Sequence, residues 1–131
     1  MGYLLDTSVA IHLRDRDRSI IERLVATDEP AQLSILSLVE LEAGVQRDQA
    51  LAAGRREILD VMLARFDVVG FDEWIVRTYG RIVAQCGFSR RKVLDRLIAA
   101  TAIVNDMTLV TINGDDFADV PDLRLEVWPA Q

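Results

Sequence analysis

Short apolar runs alternate along this chain with longer segments of helical periodicity, and no other feature limits the possible folds as strongly. "YLL" at 3–5 is the first run. "AQLSIL" (31–36), "FDVVGF" (66–71), the β-branched "TLVTI" (108–112) and the alternating "LRLEVW" (123–128) follow. Between them, "IIERLVA" after Ser19, "SLVELEAGV" (37–45), "ALAAGRREILDVMLAR" (50–65), "DEWIVRTYGRIVAQCG" (72–87) and "RRKVLDRLIAATAIVND" (90–106) carry apolar residues at helical spacing. Ser19 and Ser37 are expected as N-caps, Glu40 as the acid of a capping box begun by Ser37, and Gly87 as a helix stop. Strand–helix alternation predicts the α/β class, a parallel sheet covered by helices on both faces. Such sheets place ligands beyond the carboxyl ends of their strands. Asp6 lies just past the first strand, and Asn113, Asp115 and Asp116 lie just past "TLVTI".

A length of 131 residues, half of them hydrophobic, suits one domain with one core. There is no low-complexity segment, repeat or linker to divide it. Acids outnumber bases 21 to 15, a net charge of -6, which argues against binding nucleic acid by overall charge. A nuclease stays compatible, because bound cations reverse the local sign of an acidic site. Cys86 is the only cysteine and His12 the only histidine, so an internal disulfide and a usual zinc site are excluded, and no obvious Cys–His arrangement favours Cys86 as a nucleophile. The N-terminus lacks the pattern of a signal peptide, and no segment reaches the roughly 20 apolar residues of a membrane span. A soluble, cytoplasmic protein is expected.

Four acids stand in apolar or strand-end settings: Asp6, Glu40, Asp95 and Asp116. Each has a structural role open to it. Asp6 could cap the next helix, Glu40 could close its capping box, Asp95 could pair with Arg91, and Asp116 or Asp115 could form an Asx-turn. Together they suggest something else. Carboxylates gathered at one cleft repel, and burying them is costly unless a cation or proton compensates. A hard, oxygen-seeking ion such as Mg²⁺ needs few carboxylates because it keeps several waters, and it suits phosphodiester hydrolysis.

"LLDTSV" (4–9), "SLVELEAG" (37–44), "DRLIAATA" (95–102) and "LVTINGDDF" (109–117) occur in the order of the motifs of PIN domains, and "VPDLRLEVW" (120–128) extends the likeness. The chain resembles the VapC-type toxins of that family over nearly its whole length. The resemblance implies an α/β/α three-layer sandwich with a mainly parallel sheet. It implies a toxin endoribonuclease dependent on Mg²⁺, with Mn²⁺ able to substitute, and a cognate antitoxin that blocks the site, with an inserted arginine as one means. Homodimerisation is expected too. Residue by residue, Asp6, Glu40, Asp95 and Asp116 match the four acids. Residues two apart on a helix point about 200° apart, so Glu40 and Glu42 are not expected to share one site, and the register of the PIN motif selects Glu40. Thr7 and Thr111 are expected to orient carboxylates, and Asn113 and Asp115 to offer further polar contacts. Hydrolysis by activated water implies products with 5′-phosphate and 3′-hydroxyl ends.

Arg90, Arg91 and Lys92 in "SRRK" stand just before Asp95 and could meet RNA phosphates, as a solvated helix start could equally explain them. Arg14, Arg16 and Arg18 alternate with acids and read as a solvated loop; His12 is given no role. Trp74, Tyr79 and Phe88 are expected to pack. The helix faces near 20–25 and 38–45 could seat an antitoxin or a second subunit. Other readings of the same residues are a different metal-dependent nuclease, a catalytically silent PIN-fold binding module, and a phospho-accepting receiver domain.

Overall fold

The computed structural model describes residues 2–130. Five strands, β1 (Tyr3–Leu5), β2 (Ala31–Ser34), β3 (Asp67–Val69), β4 (Thr108–Thr111) and β5 (Leu125–Val127), form one sheet in the order β3-β2-β1-β4-β5. Every pairing is parallel, so the mainly parallel sheet expected is wholly so. Six helices accompany it: α1 (Thr7–Arg14), α2 (Arg18–Ala26), α3 (Ile35–Arg47), α4 (Ala52–Arg65), α5 (Glu73–Cys86) and α6 (Val93–Val104).

The central strands are short and apolar because both of their faces are covered. Leu4 and Leu109 point to one side and pack with Ile75 and Ile82 of α5 and Ile98 of α6. Leu5, Leu33 and Val110 point to the other, against Val9, Ile20, Leu41 and Leu59 of the first four helices. The result is the three-layer α/β/α sandwich. Strand order reverses between β1 and β4, which makes their carboxyl ends the switch point where open parallel sheets bind ligands.

Several local expectations are corrected. Asp17, not Ser19, caps α2: its carboxylate accepts from the N–H groups of Ser19 and Ile20. Ser34, not Ser37, caps α3, accepting from Leu36 N–H, so β2 stops two residues early and the helix starts at Ile35. Ser37 is thereby buried inside the helix and Glu40 is released from any capping box. The segment from 90 onward opens with a 3-10 turn, Arg90–Lys92, before α6 begins. Gly87 does end α5, with a φ of 82° that favours glycine. Of the 38–45 face, Leu41, Gly44 and Val45 are core, which leaves Val39 exposed. Arg14 is buried and paired with Asp15 at 3.0 Å rather than solvated. Trp74 and Phe88 are 58% and 69% exposed, contrary to a packing role, whereas Tyr79 does pack against the core.

Candidate metal centre

Asp6 occupies the N-cap position of α1, yet its side chain makes no capping hydrogen bond. It is only 4% exposed, and its carboxylate accepts two hydroxyl protons on the same oxygen, Oδ2: from Ser8 Oγ at 2.8 Å and from Thr111 Oγ1 at 2.9 Å. Burial pushes its pKa above the ordinary 3.8; those two hydroxyls and the nearby N–H groups of Thr7 and Ser8 oppose the rise. Thr111 in turn accepts the N–H of Asn113 at 3.0 Å, so the end of β4 is tied to the end of β1. Both hydroxyls fall on Oδ2, so Oδ1 has no side-chain hydroxyl competing for it.

Glu40 is held from the same turn. Thr7 Oγ1 lies 2.6 Å from Glu40 Oε1 and 2.9 Å from Ser37 Oγ. A hydroxyl has one proton to give, and the shorter, charge-assisted bond takes it, so Ser37 is the donor to Thr7. Glu42 points elsewhere: it is exposed and forms a bidentate pair with Arg56 of α4 at 2.7 and 2.9 Å. The two glutamates thus face different partners, Glu40 the turn that bears Asp6 and Glu42 helix α4.

Asp95 sits in the first turn of α6 and Asp116 ends the 3-10 turn Gly114–Asp116 that follows β4. The pKa of Asp95 is raised from 3.8 to about 6, first by burial and then by the negative charges of Asp6, Asp116 and Glu40; Lys92 opposes the rise. Four acids from four separate segments therefore share one electrostatic neighbourhood. No Arg91–Asp95 ion pair forms among the described residues. Gly114 is needed here: a Cβ would stand 2.7 Å from Val127 Cγ2, so any side chain would displace the turn carrying Asp116 unless Val127 gave way. Asn113 and Asp115 are exposed on the rim beside Asp116, and neither is among the charges that act on Asp95. His12 is half-buried, its Nδ1 2.8 Å from the carbonyl of Ser8.

Among the described residues no three His, Cys, Asp or Glu side chains already form a group that could hold a metal ion. The donor set still fits a hard cation: it is all oxygen, mutually repulsive, and opposed nearby by Lys92. Such an ion would be held through a few carboxylates and retained waters.

Ser8 and Ser37 were not singled out as site residues from sequence. The hydroxyl two residues after Asp6 was the available signal, but only the parallel β1–β4 pairing shows that it and Thr111 meet on one carboxylate oxygen. Thr111→Val should cost about 1.5–3 kcal/mol near neutral pH, the worth of a hydrogen bond to a charged group. The cost should shrink in acid, where Asp6 is protonated, while Thr111→Ser stays close to the native protein. Urea denaturation at two pH values checks this.

The fold and this acid cluster define a class, and comparison with known proteins agrees. The model of the PIN domain matches residues 3–123, and the chain belongs to the PIN-domain family. Within that family its likeness is to VapC-type chains. It is 36% identical over 126 residues to Ribonuclease VapC19 of Mycobacterium tuberculosis, covering 92% of this chain and 96% of that one. It is 27% identical over 135 residues to Ribonuclease VapC2 of Rickettsia felis, covering 98% of each. The crystal structure of VapBC2 from Rickettsia felis, bound to a DNA fragment from its promoter, superposes with a TM-score of 0.84 at 29% identity, over 98% of this chain and 99% of that one.

Proposed function

We propose that this chain is a metal-dependent endoribonuclease, the toxin half of a toxin–antitoxin pair. The observation that carries the reading is the convergence of Asp6, Glu40, Asp95 and Asp116 at the switch point of the sheet, where burial first and then the charges of the other three raise the pKa of Asp95 to about 6. Such repulsion has no structural benefit, and a bound cation would relieve it. The kinship with VapC ribonucleases supports the same reading.

In this mechanism Asp6, Asp95 and Asp116 would hold Mg²⁺ or Mn²⁺, with Glu40 binding through water or orienting the nucleophile. The ion, when bound, would lower the pKa of a water and neutralise phosphate charge. Ser8 and Thr111 fix the rotation of the Asp6 carboxylate, and Thr7 fixes that of Glu40, so that each offers a set oxygen to the cleft. Near neutral pH most of the Asp95 population is ionised, which leaves it ready to bind.

Purified protein should cleave total RNA with Mg²⁺ or Mn²⁺ and not with EDTA, leaving 5′-phosphate and 3′-hydroxyl ends. Products ending in 2′,3′-cyclic phosphate would refute hydrolysis by activated water. None of the ion pairs among the described residues engages Arg90, Arg91 or Lys92, and this supports their use as phosphate contacts. Changing all three to Ala should raise KM for RNA several-fold and lower the slope of log KM against log salt by about 2–3. An unchanged salt slope would remove them from the substrate path.

For the antitoxin, a groove between α2 and α4 offers exposed Ile21, Val25 and Val61, with Arg16 and Arg65 among its lining. It suits an amphipathic segment whose polar side carries acids, and the similar Rickettsia felis chain is found in a VapBC2 assembly. An arginine from the same partner could reach the uncompensated acids. A second copy of the chain has a different exposed apolar group available in Trp74 of α5.

A further inference from the structure

Phe88, seven residues before Asp95, is the most exposed aromatic side chain among the described residues. It lies in the connection from α5 to α6 and is 69% exposed. A lone exposed hydrophobic residue ordinarily means little. Here three independent features set it apart.

The first is a fixed backbone. The carbonyl of Gly87, the residue before Phe88, accepts from Arg96 Nη1 at 2.6 Å. Arg96 is 3% exposed, and its Nη2 reaches Asp119 at 3.3 Å. Cys86 Sγ adds a contact to the carbonyl of Asp119 at 3.1 Å. Phe88 is thus displayed on a turn held by a buried guanidinium rather than on a free loop.

The second is position. Arg96 follows Asp95 directly in α6, and Asp119 lies three residues past Asp116. The same guanidinium that holds the turn of Phe88 therefore ties it to the helix bearing one catalytic acid and to the segment bearing another. Trp74, the other strongly exposed aromatic, stands at the opposite end of α5, about 20 Å away along the helix, with Arg77 5.2 Å from its ring.

The third is charge. Arg90, Arg91 and Lys92 follow at once, free of ion pairs among the described residues, in a chain that is acidic overall. An exposed aromatic ring beside unpaired cations is the combination by which proteins hold single-stranded nucleic acid: the ring stacks on a base and the cations follow the backbone.

We infer that Phe88 is a substrate-positioning residue, on which an unpaired RNA base stacks while Arg90, Arg91 and Lys92 guide the adjoining phosphates toward Asp95. The inference rests on the ribonuclease reading and narrows it to substrates with an unpaired nucleotide next to the cleaved bond. A rigid turn loses little entropy when the base arrives, so the ring contributes through KM.

The test is steady-state cleavage of a single-stranded oligoribonucleotide and of its duplex, with Phe88→Ala, Phe88→Leu and Phe88→Tyr beside the native protein. Phe88→Ala and Phe88→Leu should raise KM about tenfold with kcat and Tm unchanged, while Phe88→Tyr restores KM. The duplex should be a poor substrate for all four. A 2-aminopurine placed near the cleaved bond should be quenched on binding to an Asp95→Asn protein, and not when Phe88→Ala is added. Equal KM for native, Ala and Leu variants, with cleavage intact, would overturn the stacking role and leave the ribonuclease reading standing. So would a Phe88→Ala protein whose only change is weaker self-association or weaker protein binding. A native protein that neither binds nor cleaves RNA in Mg²⁺ or Mn²⁺ would overturn both.

Discussion

Asp95→Asn is expected to lower RNA cleavage at least about 100-fold while raising the melting temperature of the metal-free protein. Losing a group that merely orients a metal ligand typically costs 10–100-fold, so losing a ligand should cost more. The gain in stability comes from the same charge. Asp95 forms no ion pair among the described residues, and burial first, then the charges of Asp6, Asp116 and Glu40, push its pKa upward. Asparagine keeps the shape and removes the repulsion. Because Asp95 is only half-buried, solvent screening trims the effect to about 1–2 kcal/mol, or about 4–8 °C for a chain of this size. Calorimetry beside a cleavage assay measures both. A variant that loses activity and stability together would place Asp95 in the framework instead, and one that cleaves normally would remove it from the site.

The metal-free protein is also expected to lose stability between about pH 4 and 7, and Mg²⁺ or Mn²⁺ to restore it at the upper end. Folding raises the pKa of Asp95 from 3.8 to about 6 and raises that of Asp6 as well. A raised carboxyl pKa means that the folded state binds the proton more tightly. The stabilisation is complete below about pH 4 and is lost as pH climbs through 6. Metal ions compete with those protons. At pH 7.5 and 100 times its Kd, an ion adds about 2.7 kcal/mol, or about 10 °C, whereas at pH 5 the gain should be much smaller. Thermal scans at pH 5 and 7.5, with and without metal, test this directly. A melting temperature indifferent to metal at both pH values would argue against a metal centre at these acids. The same scans on Asp95→Asn should show a flatter pH dependence, which separates this acid from the general charge of the chain.

Much of the architecture was legible because its signals are local. Alternating apolar runs and helical periods indicate parallel strands with helices on both faces, and Gly87 marks a helix end because few other residues tolerate its φ of 82°. Cap positions were harder. Ser34, Ser37, Asp17 and Ser19 are all competent caps, and which one serves depends on where the incoming strand or loop delivers the chain. The strand ending at Ser34 makes Ser34 the cap, which turns Ser37 inward and frees Glu40 for Thr7. Arg14 and Phe88 were misjudged for a related reason: charge and hydrophobicity predict average burial, whereas a particular side chain is buried or exposed by what packs over it.

By itself the sequence determined the α/β class, which rests on residue type and period within short segments, and its likeness to the PIN motifs supplied the four candidate acids and their order. The tertiary structure alone decided which groups meet. Parallel pairing of β1 with β4 brings Thr111 onto Asp6 across 105 positions of chain, and the return of α6 to the sheet sets Asp95 among acids that lie far from it in sequence. Hydrogen bonds and Coulomb interactions act through distances of a few ångströms, and no local pattern encodes distances between segments that only the packed core brings together.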